Sequence, residues 1–206
     1  GVSLYLYSPA PFPDDIISVL QGTNIRTQHI KGALLRQLWG SFILPFLAKR
    51  DRVDIFWGPS HRLPGFLPKA MARAVTIHDL VWKYAGETMR PISRLREYIQ
   101  MPHAIKNADA IVADSTATAD AIKAEFCILN NQLHTVLLGA SQAPITSSLL
   151  SLEKLGITRP YFLFVGTLEP RKNLSRLLTA YSRLPMTVKN QAMLVIAGGK
   201  GWGAGK

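Results

Sequence analysis

A single cysteine, Cys127, stands in this 206-residue chain, so no internal disulfide can form. That excludes a disulfide-stapled fold and makes a reducing, cytoplasmic compartment the expectation. Its setting, AEFCIL, reads as an inert core position. Long apolar runs are also missing. The longest, around Leu38 to Ala48, is interrupted by Gly40 and Pro45 and falls far short of the ~20 residues that span a bilayer. No His, Cys or acidic residues stand at zinc-finger or HExxH spacing, so no metal is expected. A GxSxG elbow, a GxGxxG fingerprint and a Walker loop are absent too. Acidic residues are scarce: 13 Asp plus Glu against 24 Lys plus Arg leave a net charge of +11. Such a balance favours an anionic partner, whether nucleic acid, an acidic membrane or a phosphorylated substrate. The cations are dispersed and no RNP, KH or zinc pattern accompanies them, so nucleic acid is not the expected partner.

What is present is ordinary globular composition, 48% hydrophobic and 18% charged. Strand-like runs are read at Val2–Tyr7, Val53–Trp57, Ala74–Ile77, Ala110–Ala113, Leu133–Leu138, Tyr161–Val165 and Met193–Ala197. Helices are read at Leu34–Leu47, with a break near Pro45, and at Pro91–Asn107, Thr116–Phe126 and Leu174–Leu184. Ser8–Asp15, with three prolines, reads as a loop. Strands alternating with helices predict a doubly wound, mostly parallel α/β sheet. Residues 144–158 read as a linker between a first domain, 1–143, and the start of a second, 159–206. The chain opens inside a strand-like run and closes just after another, so both domains are expected to belong to a longer protein.

Five stretches could carry chemistry, since ligands of open parallel sheets bind at the carboxyl ends of strands. Tyr161–Val165 reads as a strand buried on both faces, followed by Gly166, Thr167, Arg171, Lys172 and a helix start. Two cations at a helix N-terminus form an anion site or, equally, a solvated pair. In Ala74–Leu80 a strand delivers His78 and Asp79 to its end on opposite sides, so the two should not form a dyad. His78 either faces a ligand or bonds to a neighbouring loop. In Phe56–Pro64, Gly58 and Pro59 set a turn that brings His61 and Arg62 to the same edge, as acceptor contacts or as loop residues. In Asp109–Ser115, Ser115 is best read as a helix N-cap, with anion binding the alternative. Gly198, Gly199 and Lys200, with Trp202 beyond, form a glycine loop that could admit phosphate or simply flex.

VGTLEPRKN with LLTAY and LVIAGGKGW closely resembles the start of the second domain of retaining GT-B glycosyltransferases, the group 1 or family 4 type that includes bacterial mannosyltransferases. The resemblance extends to VTIHDL and covers most of the chain from about Asp54 to Trp202. It implies two Rossmann-like domains and transfer of a sugar, GDP-mannose being a candidate donor, from a nucleoside-diphosphate sugar to an acceptor hydroxyl with retention. The setting it implies is surface polysaccharide or lipopolysaccharide synthesis. Lys172 falls on a family lysine that contacts the donor diphosphate. The second family cation usually follows the glycine, where this chain has Thr167; Arg171 can cover that charge, and GTLEPRKN is the usual form within one branch. His78 matches a histidine facing the cleft near sugar and acceptor. Gly198, Gly199 and Lys200 match the donor-side loop. The metal-holding Asp-x-Asp of the other glycosyltransferase fold is absent. The family's glutamate pair and N-terminal glycine loop do not lie in this sequence, so the fragment alone is expected to be inactive.

Alternatives are a nucleotide-sugar epimerase on the same fold, or a non-catalytic nucleotide- or nucleic-acid-binding module. The acceptor is a saccharide or a lipid-linked one. Peripheral attachment to the inner face of the membrane is a further expectation, from Leu34, Leu35, Leu38, Trp39 and Phe42 at helical spacing beside Lys31, Arg36, Lys49, Arg50 and Arg52. The competing reading has that stripe packed on the sheet.

Overall fold

The computed structural model describes residues 1–129, 131–140 and 149–201. Two compact units emerge, Gly1–Leu80 with Leu95–Leu138 and Val81–Arg94 with Gly139–Lys206. The boundary expected at 143/144 and Trp202 lie outside the described residues.

The first unit holds two parallel sheets. Strands β1 (Tyr5–Ser8) and β2 (Asn24–Thr27) pair in one, joined through the short helix α1 (Asp14–Val19). Only β1 was legible, three residues later than expected; NIRT carries one large apolar residue and is a strand because β1 pairs with it. The other sheet runs in chain order β3 (Ile55–Gly58), β4 (Ala72–Ile77), β5 (Ala110–Ala113) and β6 (Leu133–Thr135), every pair parallel. Strand β6 is shorter than its apolar run: Val136 still donates to the Ala113 carbonyl, but Leu137 and Leu138 lie exposed beyond.

The core lies where the central strands meet the helices that follow them. Val75, Ile77, Ile111 and Ala113 are fully buried, as are Met101 and Ala104 of α5 (Pro91–Asn107) and Ile122 of α6 (Thr116–Glu125). Central parallel strands need cover on both faces, which is why β5 reads as a continuous apolar run and the second half of β4 is buried. Cys127, expected in the core, is exposed, because α6 ends at Glu125 and the chain turns outward.

The helix before β3 behaves as its proline dictates. Segment α2 (Ala33–Leu38) runs into a π-turn at Trp39–Ile43 and then into α3 (Leu44–Arg50), whose first turn holds Pro45. Pro45 has no N–H to donate four residues back, and the Leu44 N–H reaches the Trp39 carbonyl, five back. Trp39, Leu47 and Ala48 face inward, whereas Leu34, Leu38, Phe42 and Phe46, each four residues on, stand 44–71% exposed. Of the expected stripe, only Trp39 packs inside. Behind α3, the carboxylate of Asp51 accepts from Tyr7 at 3.0 Å and Arg26 at 3.2 Å, tying β1 and β2 to the helix end. Burial pushes Asp51 up, but bonds from Tyr7, Arg26 and Arg50 hold it below the usual carboxylate range.

In the second unit α4 (Val81–Tyr84) is followed, beyond the first unit's strands, by α7 (Leu149–Lys154), a helix within the stretch read as a linker. Then come β7 (Tyr161–Val165), α8 (Leu174–Ser182), the unforeseen α9 (Met186–Gln191) and β8 (Met193–Ala197). Strands β7 and β8 pair parallel in full register. The expectation that β7 is buried on both faces does not hold: Leu163 is 55% and Val165 71% exposed. Among the described residues β7 pairs with one neighbour, so its apolar run marks a two-faced strand that this pair alone does not cover.

Candidate functional site

The candidate residues gather at the carboxyl ends of two parallel sheets, one in each unit. In the first unit the ends of β3, β4 and β5 lie side by side. Gly58 closes β3, and a Cβ there would strike the Arg62 carbonyl, so glycine lets the loop fold back. His61 then takes a left-handed φ of 60° and donates its N–H to the Thr76 carbonyl at 3.0 Å, which pulls the loop across β4. Trp57 Nε1 donates to Thr76 Oγ1 at 2.9 Å on the same strand.

This folding brings His61, Arg62 and His78 together. The His78 main-chain N–H donates to His61 Nε2 at 3.0 Å, and the rings lie 5.2 Å apart. With Nε2 accepting, the proton of His61 sits on Nδ1, 3.3 Å from Glu97 Oε2. Arg62 donates to the other oxygen of Glu97 at 3.0 Å. Burial pushes Glu97 up, but the bonds from His61 and Arg62 hold its carboxyl below the ordinary range. The His78 ring meets Asp114 Oδ2 at 2.8 Å through Nδ1 and the Pro59 carbonyl at 2.9 Å through Nε2. The Asp114 bond raises His78 above the usual histidine value, burial opposes it, and Pro59 and the charges of Asp114 and Asp79 add to the rise.

Asp79 adds to the rise of the His78 ring through its charge, whereas the side-chain bond to the ring comes from Asp114. The acid that touches His78 is Asp114, the residue after β5. Ser115 is the N-cap of α6: its Oγ accepts from the Thr118 N–H at 3.1 Å and donates to Thr118 Oγ1 at 2.9 Å. Thr118 in turn donates to the His78 carbonyl at 2.8 Å. Glu97 and Thr118 were not foreseen. A lone acid mid-helix carries no local signal, and only its 9% exposure sets it apart.

In the second unit Gly166, Lys172, Gly198 and Gly199 come together. Gly166 donates to the Ala197 carbonyl at 2.9 Å and Leu168 to the Gly199 carbonyl at 3.2 Å, zipping the two loops. A Cβ on Gly198 would strike the Gly166 carbonyl, and one on Gly201 the Leu168 carbonyl. The Lys172 side chain folds back over this seam, its Cε 3.7 Å from where a Gly166 Cβ would lie. Pro170–Lys172 is a single 3₁₀ turn, and Asn173, at φ 53°, resets the chain into α8 without capping it by its side chain. The first N–H groups of α8 are thus not covered by a side-chain cap. Thr167, Arg171 and Lys200 are exposed around the seam, and the Thr167 carbonyl accepts the Glu169 N–H at 2.9 Å. Among the described residues no cluster of three His, Cys or acidic groups could hold a metal ion.

Residues 151–204, which contain this second site, match the family model of glycosyl transferases group 1. The chain is 30% identical over 174 residues to O-antigen chain mannosyltransferase B of Escherichia coli, an alignment covering 81% of this chain. It spans 42% of that relative's length. The parallel strand pair, its glycine seam and the basic turn thus lie within residues 151–204, the stretch of this chain that is similar to the group 1 glycosyl transferases.

Proposed function

We propose that the full-length protein transfers a mannosyl unit from a nucleoside-diphosphate sugar, GDP-mannose, to a hydroxyl of a saccharide acceptor, with retention, in surface-polysaccharide synthesis. The observation that carries the reading is the seam at β7 and β8, where glycines let the two loops approach closely and the Lys172 side chain folds back beside Gly166. Breaking the sugar–phosphate bond leaves negative charge on the diphosphate. Lys172, Arg171 and the N-terminal N–H groups of α8 would meet that charge without a metal ion. Gly198, Gly199 and Lys200 would line the donor side, and His61, Arg62, His78, Asp79 and Ser115 the acceptor side.

The test is an assay of the full-length protein with GDP-mannose and other nucleotide sugars, each with EDTA and with a saccharide acceptor. Mannosyl transfer unaffected by EDTA supports the reading. Conversion of the donor sugar without acceptor would favour the epimerase instead.

A membrane location for the reaction has support of its own. The exposed row Leu34, Leu38, Phe42 and Phe46, with Phe66 stacked on Phe42 at 5.2 Å, lies along a helix flanked by Lys31, Arg36, Lys49 and Arg52. That combination suits the interface of an anionic bilayer, where a lipid-linked acceptor would be held. Among the described residues no helix is long and apolar enough to cross a membrane.

A further inference from the structure

Each ring nitrogen of His78 faces an acceptor: the Pro59 carbonyl lies 2.9 Å from Nε2 and Asp114 Oδ2 lies 2.8 Å from Nδ1. A neutral imidazole has one N–H and one lone pair. In that form one acceptor would confront the lone pair at hydrogen-bond distance. The doubly protonated ring satisfies both. The main chain of His78 is committed as well, its N–H to His61 Nε2 and its carbonyl to Thr118 Oγ1. The residue therefore binds the loops after β3 and β5 and the first turn of α6 to the end of β4.

We infer that His78 is a fixed imidazolium, kept charged by Asp114, and serves as a cation and a tie between strand ends rather than as a group that moves protons. Asp114 is then a positioning residue acting through His78. This deepens the proposed transferase reading and rests on it only for the rate measurements below. A general base must shed its proton near working pH and present a lone pair to substrate. This ring has no lone pair to present. Its 41% exposed side chain offers charge instead. The charged and titratable groups facing it are Asp114 from the end of β5, Asp79 beside it in the chain and His61 from the loop after β3. Behind His61 stand Glu97 and, bonded to it, Arg62. The two aspartates favour the charged ring, and His61 turns an unprotonated nitrogen toward the His78 main chain.

The test uses full-length protein labelled with ¹⁵N-histidine, with His78 identified by the signal lost in His78→Gln. At pH 7.5 both ring nitrogens should show protonated shifts. Asp114→Asn, which keeps the shape, should lower the titration midpoint by at least about one unit, a tenfold change in proton affinity. In transfer assays the same variant should lose activity at pH 8 and regain it toward pH 6, and His78→Arg should retain more activity than His78→Gln. A neutral ring at pH 7.5, an unmoved midpoint, or an Asp114→Asn enzyme that gains activity at high pH would overturn the inference. Should no transfer occur with any donor, the proposed function falls, while the spectra still decide the charge.

Discussion

At the ends of β3, β4 and β5 the polar groups that could meet a ligand already hold one another, whereas at the ends of β7 and β8 the contacts are main chain to main chain. Asp114, His78, His61, Glu97 and Arg62 form one continuous set of side-chain and main-chain bonds. Gly166, Leu168, Ala197 and Gly199 join through backbone atoms, which leaves the neighbouring cations at the surface. The contrast separates two ways of preparing a site. Side chains that satisfy each other fix geometry and charge before any ligand arrives. A glycine seam fixes only a surface and leaves the charge of Lys172 for an incoming anion.

The comparison breaks most sharply at the cation. In the full-length enzyme Lys172→Ala should cut turnover by ~10²-fold or more, the scale of losing one preorganised donor to developing charge. A loss below threefold, measured at saturating donor, would remove Lys172 from the site. Next comes the seam. Gly198→Ala must push a methyl into the Gly166 carbonyl, so the loops after β7 and β8 should separate. Donor affinity should then fall about tenfold while the His78 ring spectrum stays unchanged. Movement of both would show that the two edges are not independent.

The self-satisfied edge should answer to stability rather than donor affinity. Glu97→Ala strands His61 Nδ1 and takes the acceptor from Arg62, so urea unfolding should report a loss of about 1–3 kcal/mol. An unchanged midpoint would mean that water replaces the carboxylate. The same groups set the pH dependence. Glu97 and Asp51 are held below their ordinary values, so their contribution is present above the normal carboxylate range and fades as pH falls through the folded values. His78 is raised, so its contribution is complete below the ordinary histidine value and is lost as pH rises through the folded one. Thermal unfolding should therefore show decline on both sides, with Asp114→Asn flattening the alkaline limb alone. The smallest effect belongs to the exposed helix. Phe42→Ser with Phe46→Ser should reduce flotation with anionic vesicles at low salt while leaving transfer to a soluble acceptor intact. Equal recovery with neutral vesicles would end the membrane reading.

Composition and local pattern by themselves determined the parallel α/β class, the ends of the central strands, and the glycine–cation turn after β7. Buried parallel strands are apolar throughout, and tight turns demand glycine and proline, so both leave marks within a few residues of chain. Ser115 as a cap was legible for the same reason. The tertiary structure alone decided that the partner of His78 is Asp114, 36 residues on, and that Glu97 holds His61 from a helix 36 residues away. It also decided that NIRT is a strand, that β7 lies exposed, and that the apolar row from Leu34 to Phe46 faces outward. Periodicity states that a helix has an apolar face and is silent on what meets it. A carboxylate becomes the partner of an imidazole only when strands far apart in sequence end side by side, and that proximity is set by sheet order, which no short stretch of chain encodes.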